Sequence, residues 1–208
     1  MRTIQRNAPP DCLARQPINR PWSEFMGSEC HTALDATLRM EQQGLCCYCE
    51  HQITDSDGHI EHFEPRQKNE ARTYDYTNLA LSCNGGNAKH CGHYKDNRQR
   101  NPGYEWDAAR FSSPHNPETA LLFSYLLDGS INPTLVDKEK SLFLIGYLGL
   151  DCSRLIDRRH QHARDLIDIL GEKPDPVIVS WLRKEYLQSD ANGHLKQFYS
   201  LSKAILEP

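Results

Sequence analysis

The chain reads as α+β: a small, loop-rich core set in a mostly helical protein. Three observations predict this. Residues 44–100 are rich in Cys, His, Asn and Gly and poor in long apolar runs. The chain on either side has stretches of helical periodicity with capping residues at their ends. One Asp-Gly turn signal, flanked by apolar residues at 121–132, marks a hairpin.

Residues 1–21 carry four prolines and little periodicity, and predict an extended arm. From Trp22 to Gln43, Trp22, Phe25, Met26, Leu34 and Leu38 are spaced for one or two amphipathic helical segments. Gly44 is the expected stop, because positive φ costs glycine little. The core then runs 44–100, and 101–117 reads as a connecting loop. After the hairpin, Asp137 is placed to cap a helix to Gly149, and Asp151 to cap a longer one through Leu170 ahead of Gly171. Pro174 and Pro176 separate that helix from two more, near 177–187 and 193–206. The expected organisation is therefore an N-terminal arm and helical region (1–43), a core (44–100), and a hairpin-plus-helix region (101–208).

The 208 residues carry 38% hydrophobic and 25% charged side chains, as in an ordinary water-soluble chain with a modest core. No apolar run approaches the roughly 18 residues of a membrane span. The first 22 residues contain no apolar stretch resembling a secretory signal, so cytoplasmic residence is the expectation. A net charge of −4 argues against tight, stand-alone, sequence-blind DNA binding, which is driven by Lys and Arg on phosphates.

Eight cysteines in such a chain point to metal rather than disulfides. Cys46 and Cys49 form a C-x2-C pair within CCYC, and Cys83 and Cys91 bracket the glycine-rich stretch NGGNAKH. Four thiolates in two pairs suit the closed tetrahedral coordination of structural zinc. The step from Cys83 to Cys91 is wider than usual and needs a loop to span it. Cys12, Cys30, Cys47 and Cys152 are expected to be free, buried as small hydrophobes.

Between the pairs lies GHIEHFEP. Strand alternation puts His59, Glu61 and Phe63 on one face and Ile60, His62 and Glu64 on the other. Adjacent Glu61 and His62 can cooperate only at a strand end or through a second element that meets both, and Pro65 ends the strand. Further on, YDYTNLALSC places Asn78 five residues before Cys83, and HCGHYKDN places His93 and Asn97 one helical turn apart. Arg66, Lys68, Arg72, Lys89, Lys95, Arg98 and Arg100 outnumber the nearby acids and are candidates to follow a phosphate backbone. Arg154, Arg158 and Arg159 on the long helix are candidates for nucleic acid or a partner.

Taken in order, CCYCE, HIEHFEPR, YTNLALSCNGG and HCGHYK resemble the zinc-binding branch of HNH endonucleases, and more narrowly the PtuB-type nucleases of Septu and retron anti-phage systems. LIGYLGLDCSRLIDRR resembles the helical region that follows the core in those proteins. The resemblance implies a zinc-stapled ββα-metal core embedded in a mostly helical protein. It implies a DNA-cleaving activity that leaves a 5′ phosphate. It implies His62 as general base, Glu61 as acidic metal ligand and Asn78 as the asparagine ordering the loop behind the base. The family's usual asparagine after the last cysteine is replaced by Gly92, so His93, with Asn97 second, takes the last metal position. Mg²⁺ or Mn²⁺ is the implied catalytic ion beside structural Zn²⁺. The implied partner is a PtuA-type SMC/ABC-like ATPase, in some systems with a retron reverse transcriptase and its RNA–DNA hybrid. No Walker A sequence is present, so any ATP use is in trans. A catalytically inactive zinc-built adaptor for a partner or nucleic acid is the rival reading: it explains the cysteines equally well, but not Glu61-His62 beside Asn78 and His93.

Overall fold

The computed structural model describes residues 1–54 and 57–207. It is an α+β assembly of eight α-helices, four short 3-10 helices and two two-stranded antiparallel sheets among these residues. Trp22–Phe25 (α1) and Glu29–Glu41 (α2) form the N-terminal helical region. Gly27 separates them at φ 75°, and the Ser28 side chain accepts a hydrogen bond from His31 N to start α2. The helix leans on the core through Gln42, which is 1% exposed. Its side-chain amide donates to Leu45 O and Leu81 O and accepts from Leu81 N, serving as a short extra strand on the sheet edge.

The sheet itself pairs His59–His62 (β1) with Leu79–Ser82 (β2), with Glu61 opposite Ala80 and His62 opposite Leu79. Gly85–Ala88 (α3) is a single distorted turn, and Cys91–Lys95 (α4) is a short helix. The second sheet joins Phe123–Tyr125 (β3) and Ile131–Pro133 (β4) around the Asp-Gly turn, as the sequence pattern predicts. The rest is helical: Lys138–Leu148 (α5), Ser153–Leu170 (α6), Pro176–Leu187 (α7) and Tyr199–Leu206 (α8). Asp137 caps α5 through Lys140 N, and Gly149 ends it in the left-handed region.

Three expectations are corrected at the element level. The N-cap of α6 is Cys152, not Asp151, and makes no side-chain cap bond. The last helix begins at Tyr199 rather than near 193, because 188–198 runs back over the core. There Leu195 N bonds Gln43 O and Phe198 N bonds Glu50 O. The N-terminal arm is not extended throughout: it turns at Leu13–Arg15, and it packs on the core, with Met1 and Ile4 buried, Ile4 N bonded to Pro114 O, and the Met1 ammonium paired with Glu50 at 3.2 Å. One continuous apolar core takes residues from the arm, both helical regions and both sheets, from Met1 to Leu155.

A fourth correction concerns cysteine. Cys12 and Cys30, expected to be free, form a disulfide that ties the arm to the first turn of α2. Cys47 is free and buried, as expected, and Cys152 is free and half-buried.

Candidate metal centre and adjoining polar site

Cys46 and Cys49 sit in a tight knuckle closed by an isolated bridge between Leu45 and Gln52. Cys46 N bonds His51 O, Glu50 N bonds Cys46 O, and Glu50 takes positive φ to make the turn. Cys83 directly follows β2, and Cys91 opens α4. The wide step between them is taken up by α3, whose residues 85–88 all have positive φ. Glycine at 85 and 86 permits this: a Cβ at 85 would fall on His90 O, and one at 86 on the Arg154 side chain.

The four ligand atoms all lie within 4.8 Å of one another. Cys46 Sγ is 3.8 Å from Cys91 Sγ, and Cys49 Sγ is 3.7 Å from Cys83 Sγ. Bonds of about 2.3 Å in a regular tetrahedron put sulfurs about 3.8 Å apart, so these thiols fit a single ion such as zinc. The surroundings suit thiolate. Cys83 N donates to Cys46 Sγ at 3.3 Å, and His90 Nδ1 lies 3.1 Å from Cys91 Sγ. Among the described residues this is the one cluster of three or more such side chains placed to hold a metal.

Against the centre lies a second polar group. Glu61, 2% exposed, accepts on Oε1 from Tyr48 OH at 2.9 Å and pairs there with Lys95 Nζ at 3.0 Å. Its Oε2 faces His59 Nε2 at 3.4 Å, and the His59 ring stacks on His93 with centroids 3.8 Å apart. Burial alone would raise the Glu61 carboxyl, but Lys95 and His59 outweigh it and hold the group well below its usual range. Gly92 belongs to this arrangement. A Cβ there would collide with Glu61 Oε2 and His59 Nε2, which gives a steric reason for glycine at this position.

His62, on the opposite strand face, is 6% exposed with its ring edge-on to Trp22 at 4.6 Å. Its Nε2 lies 3.0 Å from Thr73 O. A carbonyl only accepts, so Nε2 carries the proton and Nδ1 is the basic nitrogen of the neutral ring. Burial, with Arg66 adding to it, pulls the imidazole down to about 4, so it is neutral at pH 7. Asn78, 1% exposed, braces the loop that supplies Thr73. Its Oδ1 accepts from Glu64 N, and its Nδ2 donates to Glu64 O and Arg72 O.

Sequence alternation thus holds, with Glu61 and His62 pointing apart. The element that meets both is α4: Lys95 Nζ contacts the Glu61 carboxylate and the His62 carbonyl oxygen, 3.0 Å away, as well as Asp96 Oδ1. His93 is brought to His59 and Glu61. Asn97 is not, because its Oδ1 caps the following turn through Gln99 N and Arg100 N.

Sequence reasoning missed Lys95, Tyr48 and His59 as partners of Glu61. The i, i+4 spacing from Cys91 to Lys95 was the available signal for the lysine. Lys95 and Arg159, proposed from sequence to reach nucleic acid, are buried. Arg72 is bound to Glu64 and Asp75, while Arg66 and Arg98 stay exposed. No protein-family model matches the chain, and no curated protein matches it.

Proposed function

We propose that this chain is a metal-dependent HNH-type endonuclease that hydrolyses phosphodiester bonds, with DNA the favoured substrate. The observation that carries the reading is His62. It closes a β-strand whose partner strand leads into a four-cysteine centre and a short helix. Its tautomer is set by Thr73 O, its loop is braced by Asn78, and it is neutral near pH 7. In that state Nδ1 is unprotonated and available to take a proton from water.

Zinc on Cys46, Cys49, Cys83 and Cys91 would be structural. Zinc binding to comparable peptides is worth roughly 10–16 kcal/mol, against about 5–15 kcal/mol for the stability of a typical domain. Glu61 and His93 are the side chains that would hold a catalytic divalent ion together with water, the carboxylate favouring Mg²⁺ or Mn²⁺ and the imidazole tilting the choice toward Mn²⁺. When bound, that ion would stabilise negative charge on the phosphate and the leaving 3′ oxygen. Glu61 Oε1 is committed to Tyr48 and Lys95, while Oε2 faces His59 Nε2 at 3.4 Å and is the oxygen that would turn to an ion. The exposed Arg66, close enough to act on the His62 ring, would help position the backbone.

In this reading the protein is the cutting subunit of an anti-phage system. It would be controlled by a PtuA-type ATPase, with a retron reverse transcriptase and its RNA–DNA hybrid as a further partner. Its net negative charge supports the idea that a partner holds much of the nucleic acid.

A second reading is favoured by one observation: the Glu61 carboxylate is already neutralised by Lys95, while the His62 ring is buried. A zinc-built adaptor needs no more than that. Plasmid nicking in Mn²⁺ by wild type and His62→Ala, each alone and with the ATPase co-expressed, separates the two. Cutting by wild type only is expected. Equal cutting by both proteins removes His62 as the base, and no cutting under any condition favours the adaptor.

A further inference from the structure

The fold spends many of the basic side chains that the sequence offers to nucleic acid. Lys95 and Arg159 are buried, Arg72 is held by Glu64 and Asp75, and Lys68 and Arg98 both lie by Glu105. Four others gather along the loop from Cys83 to Cys91 and the cysteine knuckle beside it. Arg154, in the first turn of α6, lies over Gly86, where a Cβ would be 2.4 Å from its Nε. At the next residue of the loop, Arg100 donates from Nη1 to Asn87 O. Lys89 closes the same turn through its amide, which bonds Gly85 O at 2.8 Å. Arg158, one helical turn along α6 from Arg154, meets His51 Nε2 at 3.2 Å, and His51 Nδ1 lies 2.8 Å from Gln197 Oε1. Since the guanidinium only donates, His51 Nε2 accepts and the ring is neutral, so it does not offset the arginine's charge. Asp57 reaches the loop, but its Oδ1 accepts from Asn84 N at 2.9 Å. Among the described residues none of the four cations has a carboxylate within ion-pair distance, and Lys89, Arg100 and Arg154 are exposed.

In a chain of net charge −4, four unpaired cations on one stretch make a local positive field against the average. We infer that Lys89, Arg100, Arg154 and Arg158 form a phosphate-binding surface over the Cys83–Cys91 loop, which positions the backbone of duplex DNA without reading its sequence. The choice of DNA as the polyanion rests on the proposed nuclease reading; the surface itself rests on the contacts of these four side chains. The α3 turn then has a use beyond spanning the wide cysteine step, because it anchors Arg154 and Arg100 at the adjacent residues Gly86 and Asn87. Contacts from both α6 and the loop would let one duplex bear on the cysteine-built core and the helical region together. Arg158, tied to His51, is left out of the variants below so that no contact with the knuckle is broken.

The test is binding of a fluorescein-labelled DNA duplex of mixed sequence to the full chain, read by anisotropy over a salt series without Mg²⁺ or Mn²⁺. Each phosphate contact contributes about 0.9 to the slope of log affinity against log salt. Arg154→Gln combined with Lys89→Gln should lower that slope by about 2 and weaken binding roughly tenfold or more at low salt. Arg100→Gln should lower it by about 1, and Arg154→Lys should keep it. Lys173→Gln, on the exposed connection between α6 and α7, should leave it unchanged. Unchanged slopes in the patch variants, an equal fall in Lys173→Gln, or no salt-dependent binding by wild type would overturn the inference. Patch variants that bind DNA fully but no longer co-purify with the ATPase overturn it too, and assign the surface to a protein partner. Should Arg154→Gln fail to melt like wild type, Lys89→Gln alone decides, with an expected fall in slope of about 1. Binding is read without cutting, so the two proposals fail separately. Slopes that fall as expected in a protein that never cuts keep the surface and remove the nuclease; wild-type cutting with unchanged slopes does the reverse.

Discussion

The Glu61 carboxylate and the Lys95 ammonium meet 3.0 Å apart with side chains 2% and 0% exposed, joining β1 to α4 across the face of the cysteine centre. Removing one partner of a buried pair leaves the other charge without compensation, at a cost of about 3–5 kcal/mol. Lys95→Met should therefore lose stability in that range by urea titration. Lys95→Met combined with Glu61→Gln should recover part of it. A single variant as stable as wild type would show that the pair does not hold the two elements together.

Metal removal should matter more than any side-chain change. Chelation of the purified protein, or Cys46→Ser and Cys91→Ser, is expected to abolish the cooperative thermal transition or lower its midpoint steeply. Metal content by atomic emission should fall in parallel with the transition. A metal-free variant with an unchanged transition would show that the apolar core alone supports the fold.

The Cys12–Cys30 bridge closes a loop of 18 residues between the arm and α2. A cross-link over that span stabilises by about 3 kcal/mol, mainly by restricting the unfolded chain. Cys12→Ser with Cys30→Ser, or mild reductant that spares the metal centre, should lower stability by about that amount under oxidising conditions. Identical unfolding curves with and without reductant would show that the bridge does not contribute.

His115 supplies a pH dependence remote from the cysteine centre. Its Nε2 lies 3.3 Å from Leu79 O, and burial, with Arg6 adding to it, pulls the imidazole down to about 4. The unfolded ring titrates near 6.5, so the unfolded state binds more protons between those values. The stability that depends on a neutral His115 is present above pH 6.5 and is lost as pH falls toward 4. His62 and His90, both buried and held low by burial, act in the same direction. His115→Gln should therefore shrink, without abolishing, the drop in urea midpoint between pH 7 and pH 5. An unchanged drop would assign the whole effect elsewhere.

Much of the architecture was legible in local chemistry. The Asp-Gly hairpin, the Asp137 cap, the Gly149 stop and the two cysteine pairs each follow from residues that enforce a backbone conformation or a ligand geometry over a few positions. Other features were not. The Cys12–Cys30 bridge depends on the arm folding back over α2, which no spacing dictates. The start of α8 moved because 188–198 spends its backbone groups on Gln43 and Glu50, partners far away in the chain.

The candidate site divides the same way. Alternation along GHIEHFEP alone placed Glu61 and His62 on opposite faces, and helical spacing alone put His93 and Asn97 one turn apart. Only the tertiary structure decided that Lys95 turns inward to Glu61, that Gly92 leaves room for the carboxylate and His59, and that Asn97 is spent on a local turn. A lysine four residues after a cysteine can face solvent or core with equal covalent ease. Which way it faces is settled by the desolvation cost of a buried ammonium against the carboxylate waiting for it, and that balance exists only once β1 and α4 are packed together.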